Sequence, residues 1–196
     1  MTEITRLKDV ASVQMGLTFR TRLEQSPKGN VAVVQMKDFI AGNRLDSKNL
    51  THVEMANLKQ HHMVRPNDLI FRSRGITNTA ALVDWDIKHT VLSAPLLRIR
   101  VNDSSVLPGY LRLYINLPAS QAFLQRHATG TVMQLVGKQT LDVLEIFIPS
   151  LDIQQGIVEL NYLAEREQYI QKQLSERRKQ LINNFIKRVT RTTGDS

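Results

Sequence analysis

The chain contains no cysteine. That excludes disulfides, thiolate metal ligands and cysteine nucleophiles, and it fits a reducing compartment. No apolar run approaches the ~20 residues that a membrane span requires, so no membrane partner is expected. The opening residues, Met1 to Arg6, lack the apolar stretch of a secretory signal, which gives the expectation of a cytoplasmic protein. Phosphate-cradling glycine loops are missing too: Gly130 and Gly137 lie in neither a GK[ST] nor a GxGxxG context. The histidines at 52, 61, 62, 89 and 127 show no metal-ligand spacing. His61 and His62 are adjacent, so on a helix or strand they point apart. Asp84 and Asp86 flank Trp85 and read better as a turn around a half-buried tryptophan than as paired carboxylates. Asp9, Asp38, Asp68 and Glu145 share no motif that a metal-dependent nuclease would need, and no Asn-Pro-Pro-Tyr-like stretch of an adenine methyltransferase is present. The expectation is a protein that is not itself an enzyme and that holds no cofactor or metal.

What is present is positive charge. The 196 residues carry a formal net charge of +8. Residues 1–150 hold 18 Lys and Arg against 12 Asp and Glu, whereas the last 46 residues hold 8 against 6. The excess therefore sits mainly on the larger segment. A balance this basic is compatible with a polyanionic partner, nucleic acid above all, and also with an ordinary basic housekeeping protein.

Periodicity divides the chain at the same place. Short strands are predicted over Leu7–Val13, Val31–Met36, Leu69–Phe71, Ala80–Val83, Thr90–Ser93, Leu96–Val101 and Leu144–Pro149, with a short helix or turn over Asn57–Met63. Pro108 starts a helix whose stripe is Tyr110, Leu111, Leu113, Tyr114 and Leu117, and a second helix runs from Pro118 to about Gln125. From Ile153 onward the pattern changes. Ile153, Ile157, Leu160, Leu163 (or Ala164), Ile170, Leu174, Leu181 and Phe185 recur at three, four or their sum, and Asp152 is placed to cap the start. A helix from 153 to about 190 would be on the order of 55 Å long at ~1.5 Å per residue. Such a stripe calls for another helix as partner, although Glu167, Arg177 and Asn184 interrupt the seam. The predicted organisation is a mixed α/β domain over 1–150, a long helix over 151–190 and a tail over 191–196.

Four segments carry side chains suited to phosphates or base edges. Thr18, Arg20 and Arg22 follow the first strand; Lys37 follows the second, next to Gln35; Arg72, Arg74 and Asn78 follow the third; and Thr131, Gln134 and Lys138 lie near Gly130. Arginine can bridge guanine O6 and N7, and Asn or Gln can pair with adenine N6 and N7. Arg72 and Arg74 should share one side of the strand end, with Ser73 on the other. For each residue alone a solvated surface role remains open; the four sets together favour binding.

The order of motifs resembles a known family. "LKDVASVQMGLTFR", "VVQMKDF", "VRPNDLIFRSRG" and "LSAPLLRIR" follow one another, and "GT…L…L…IFIPSLDIQQGIV" completes the series. This is similar to the target recognition domain and conserved helix of type I restriction–modification specificity subunits. The pair Gln154-Gln155 stands where that family more often has an acidic residue just before the glutamine. The resemblance implies double-stranded DNA as ligand, and as partners an adenine-N6 methyltransferase subunit and a translocating nuclease subunit. A family subunit carries two recognition domains and two antiparallel helices; this sequence shows one of each. The resemblance therefore implies a half-length form that pairs as a homodimer on a bipartite, palindromic site, with Ile157, Leu160, Leu163, Ile170, Leu174, Leu181 and Phe185 on the pairing helix. The alternative reading is a protein–protein module of a phage-defence complex that does not read DNA.

Overall fold

The structure, a computed structural model, describes residues 3–40, 43–75, 78–85, 88–130 and 135–192, with side chains between 4 and 187. Contacts divide the chain into two units, Met1–Gln155 and Gly156–Ser196. The elements of the first unit are β1 (Glu3–Arg6), α1 (Leu7–Val10), β2 (Ala11–Met15), β3 (Val31–Val34), β4 (Phe39–Ile40), β5 (Arg44–Leu45), β6 (Thr51–Val53), β7 (Leu69–Arg72), β8 (Ala80–Leu82), β9 (Thr90–Leu92), β10 (Leu96–Val101), α2 (Pro108–Asn116), α3 (Pro118–Arg126), α4 (Lys138–Asp142) and β11 (Glu145–Ile148). The long helix α5 (Leu151–Thr192) begins in this unit and makes up the described part of the second. The fold is mixed α/β with short strands, as the sequence implied.

At the centre lies an antiparallel four-stranded sheet in the order β2-β10-β7-β8. β7 and β8 are buried on both faces and read as apolar runs, whereas the edge strand β2 alternates buried Ala11 and Val13 with exposed Ser12 and Met15. Leu69, Phe71, Leu97 and Ile99 face Leu111, Ile115, Leu124 and Leu141 of α2, α3 and α4. Ile70, Ala81 and Leu96 face the opposite way, onto Ala32, Val34 and Leu92 of the three-stranded sheet β6-β3-β9. In that sheet β3 and β9 run parallel and β3 and β6 antiparallel. Val31, Val33 and Val91 on its outer face are covered by Leu17, Phe19 and Leu23.

Several expectations need correction. Leu7–Val13 is not one strand, because Leu7, Val10 and Ala11 bury at helical spacing; the chain makes one turn of helix before β2. The predicted strand from Val31 stops at Val34, where Gln35 and Asp38 form a reciprocal box: Gln35 N donates to Asp38 Oδ2 at 2.7 Å and Asp38 N donates back to Gln35 O at 3.0 Å. This closes a 3-10 turn over Met36–Asp38. Asp152 does not cap α5 either. The helix starts at Leu151, Gln154 N reaches the Ser150 carbonyl at 3.0 Å, and Asp152 lies inside the first turn, where its charge suits the helix dipole. His61 and His62 sit on a 3-10 turn, neither helix nor strand, and their rings lie 4.1 Å apart instead of pointing away from each other.

Two arginines of the central sheet serve the interior. Arg98 is buried and donates to the carbonyls of His61 (2.8 Å) and Met63 (2.9 Å) and to Gln14 Oε1 (2.7 Å). Burial first, and then the neighbouring Arg100, lowers its pKa. Arg100 forms a two-pronged pair with buried Asp68, each N–O distance 2.7 Å. Together they tie the turn between β6 and β7 to the sheet.

Candidate nucleic-acid interface

Three of the four donor-bearing segments meet at one turn, Ser93-Ala94-Pro95, between β9 and β10, and the fourth is attached through the third. The first segment joins through Leu17, whose N–H donates to Leu92 O at 2.7 Å and whose carbonyl accepts from Ala94 N at 2.8 Å. Gly16 is required there, since a Cβ on it would stand 2.7 Å from the Leu92 oxygen. The second joins through Val34, whose carbonyl accepts from Ser93 N (2.9 Å) and Ser93 Oγ (3.2 Å). The third joins through buried Ser73, whose hydroxyl donates to the Pro95 carbonyl. The fourth joins the third: Val136 N donates to Ser73 O at 2.8 Å, and Arg74 pairs with Leu135 in an isolated bridge. Segments far apart in sequence are thus held together by main-chain bonds, which leaves most of their side chains unspent.

Where the individual residues fall differs from one to the next. Thr18, Arg20 and Arg22 are exposed on a loop whose intervening Leu17 and Phe19 pack inward. Lys37 is exposed, with its ammonium 2.9 Å from Thr51 Oγ1, an oxygen that also accepts from Gln35 Nε2 at 2.9 Å. Beside it, burial raises the pKa of Asp38. Lys138 is exposed as the first residue of α4. Arg74 is exposed, Ser73 is buried, and Arg72 is half-buried with its guanidinium carbon 5.2 Å from the centroid of the Phe39 ring. The two arginines therefore have different settings. Gly75 adopts φ +126°, a conformation open to glycine, and turns the chain just beyond them. Thr131 and Gln134 lie outside the described residues.

Asn78 is set apart from the other candidates: it is buried, and its amide donates to the Arg72 carbonyl at 3.0 Å, so it braces the loop from within. Sequence reasoning missed residues. Asn116 of α2 exchanges two hydrogen bonds with the Ala80 main chain (2.8 and 2.9 Å), which closes the edge of β8. Gln121 of α3 donates to Asn78 O at 2.8 Å. The signal for Ser93 was visible in the "LSAPL" stretch, but a Ser-Ala-Pro turn does not announce its partners.

Among the described residues, no three His, Asp or Glu side chains are grouped to hold a metal ion, and no helix is long and apolar enough to cross a membrane. A basic surface on a rigid sheet, with donors carried by loops, can supply phosphate contacts and base-edge readout. Comparisons with known proteins agree in direction. A family model described as the type I restriction modification DNA specificity domain matches residues 2–184. No curated protein matches the chain. Among solved structures, the S subunit of a type I restriction–modification system from M. genitalium aligns at TM-score 0.59 and 14% identity, over 85% of this chain and 39% of that one. The HsdS subunit from Thermoanaerobacter tengcongensis aligns at TM-score 0.60 and 18% identity, over 86% and 37%. A third, from work on complex assembly and conformational transition of the type I R-M system, aligns at 0.62 and 17%, over 86% and 38%. The chain spans about two fifths of the length of these structures.

Proposed function

The chain belongs to the type I restriction modification DNA specificity family, and from that premise we propose that it is a non-catalytic subunit that reads double-stranded DNA and directs a partner adenine-N6 methyltransferase, and with it a translocating nuclease. The observation that carries this reading is the convergence of three donor-bearing segments on the Ser93–Pro95 turn, with the fourth bonded to the third beside it. Main-chain bonds and the hydroxyls of Ser73 and Ser93 hold these segments, so Thr18, Arg20, Arg22, Arg72, Arg74 and Lys138 are left to face DNA, with Lys37 beside them on Thr51. Phosphate contacts set register and salt sensitivity; base contacts set specificity.

The test is a fluorescence titration of the chain against duplex DNA at several salt concentrations. Binding is expected to fall steeply between about 50 and about 200 mM salt, with a slope of roughly −0.9 per phosphate contact. Arg74→Ala is expected to weaken recognition by about 1–3 kcal/mol if the guanidinium reads a base edge. Affinity indifferent to salt would defeat the DNA reading, and unchanged affinity in the variant would remove Arg74 from it.

The second unit supports pairing of two copies. Along α5 the residues Ile157, Leu160, Leu163, Ile170, Leu174, Leu181 and Phe185 are between 39 and 72% exposed, an apolar stripe that a solvated helix would not keep without a partner. We assign this stripe to the corresponding helix of a second copy in an isologous dimer, which would read a palindromic, bipartite site. Leu174→Asp, or Ile170→Asp, should shift the mass measured by light scattering from dimer toward monomer. A dimer of undiminished mass at low micromolar concentration would contradict the assignment.

A further inference from the structure

Phe39 has no place in the DNA-contact set, yet it lies under the one guanidinium of that set that is held in a fixed setting. We infer that Phe39 is a positioning residue that orients Arg72 toward a planar pair of DNA acceptors, an inference that rests on the DNA-reading role proposed above. Three observations carry it. The Arg72 guanidinium carbon stands 5.2 Å from the Phe39 ring centroid, within cation–π range. The stem of Arg72 is pinned at its root: Arg72 N donates to Thr79 O at 2.9 Å, and Asn78 donates to Arg72 O at 3.0 Å. Its Nε is buried with no hydrogen-bond partner among the described residues. Among the described residues, the contact given for the guanidinium is therefore the aromatic face.

Phe39 itself is well fixed. It pairs with Leu45 across the β4–β5 hairpin and packs against the core formed by Ile70, Ala81 and Leu96. Gly75 leaves space beside the guanidinium, since a Cβ at that position would come no closer than 3.9 Å to Arg72 Nη2. A guanidinium held over a ring by a cation–π contact loses freedom to swing, which favours bidentate recognition of a phosphate or of guanine O6 and N7 by its outer N–H edge.

A double-mutant cycle on the full chain tests this, using duplexes that the wild-type chain selects from a random pool and, separately, the unselected pool. Phe39→Leu keeps apolar packing against Leu45 but removes the ring, and should weaken binding to the selected duplex about three- to tenfold. Phe39→Tyr should restore it. In an Arg72→Ala background, Phe39→Leu should have no further effect, whereas a merely structural role for the ring would cost binding equally in both backgrounds. Loss on the selected duplex alone identifies a base edge as the acceptor; equal loss on both pools identifies phosphate. Full additivity of the two substitutions, or wild-type affinity in Phe39→Leu, overturns the inference and leaves the DNA reading standing. Failure of the wild-type chain to select any duplex overturns both.

Discussion

Replacing Asp68 by alanine is expected to lower the unfolding free energy by about 3 kcal/mol, the lower end of the range for breaking a buried ion pair by removing one partner. Asp68 is 1% exposed and Arg100 21%, so the arginine keeps some access to water, which argues for the lower end. The carboxylate has three bonds: two from Arg100 at 2.7 Å each and one from the main-chain N–H of Arg65 at 2.7 Å. Alanine strands the guanidinium, which retains only its bond to Met63 O at 3.0 Å, and orphans the Arg65 N–H. The backbone of Asp68 accepts from Val83 N at 2.9 Å, so the turn and the end of β8 loosen together. Urea unfolding of the two proteins measures the difference; a loss under about 1 kcal/mol would mean that the pair hardly offsets its own desolvation.

Gln154→Leu is expected to cost about 3 kcal/mol as well, for a different reason. Gln154 is fully buried, and its side chain satisfies three main-chain groups: Oε1 accepts from Leu107 N at 2.8 Å, and Nε2 donates to Ser105 O at 2.7 Å and Pro149 O at 2.8 Å. Leucine fills a similar volume but leaves all three unpaired, at about 1–3 kcal/mol for each such group that water cannot reach. Gln155 is exposed, and Gln155→Leu should stay within about 0.5 kcal/mol of wild type. Equal unfolding midpoints for the two variants would refute the distinction. The glutamine pair thus contains one residue that fixes the first turn of α5 to its own unit and one that faces solvent.

Elements whose pattern exceeds one turn of helix or a few strand residues were legible in the sequence. Tyr110, Leu111 and Tyr114 mark α2, Pro118 starts α3, and the seam through Leu174 and Leu181 marks α5; Leu117, counted in the first stripe, lies past the end of α2 and is exposed. The doubly buried strands β7 and β8 read as apolar runs with turn residues at their ends, and β10 reads as a strand despite Arg98 and Arg100. What was not legible is short or relational. β4 and β5 have two residues each, too few for any period. The pairing of β1 with β11 joins Glu3 to Ile148, from opposite ends of the first unit, and no local pattern encodes such a distance. Arg98 and Arg100 look like Arg72 and Arg74 on paper; only burial shows that the first two are spent on carbonyls and a carboxylate. For the same reason Asn78, a plausible base reader by chemistry, is an interior brace by position.

The turn at Ser93–Pro95 separates two kinds of information. The bonds that gather the four segments run mostly between main-chain atoms, with the hydroxyls of Ser73 and Ser93 as the side chains involved. The exposed side chains at positions 18, 20, 22, 74 and 138 take no part in holding that junction. Their identity can therefore change from one generation to the next while the scaffold keeps its stability, so a lineage carrying this chain is free to revise what it recognises without first having to repair how it folds.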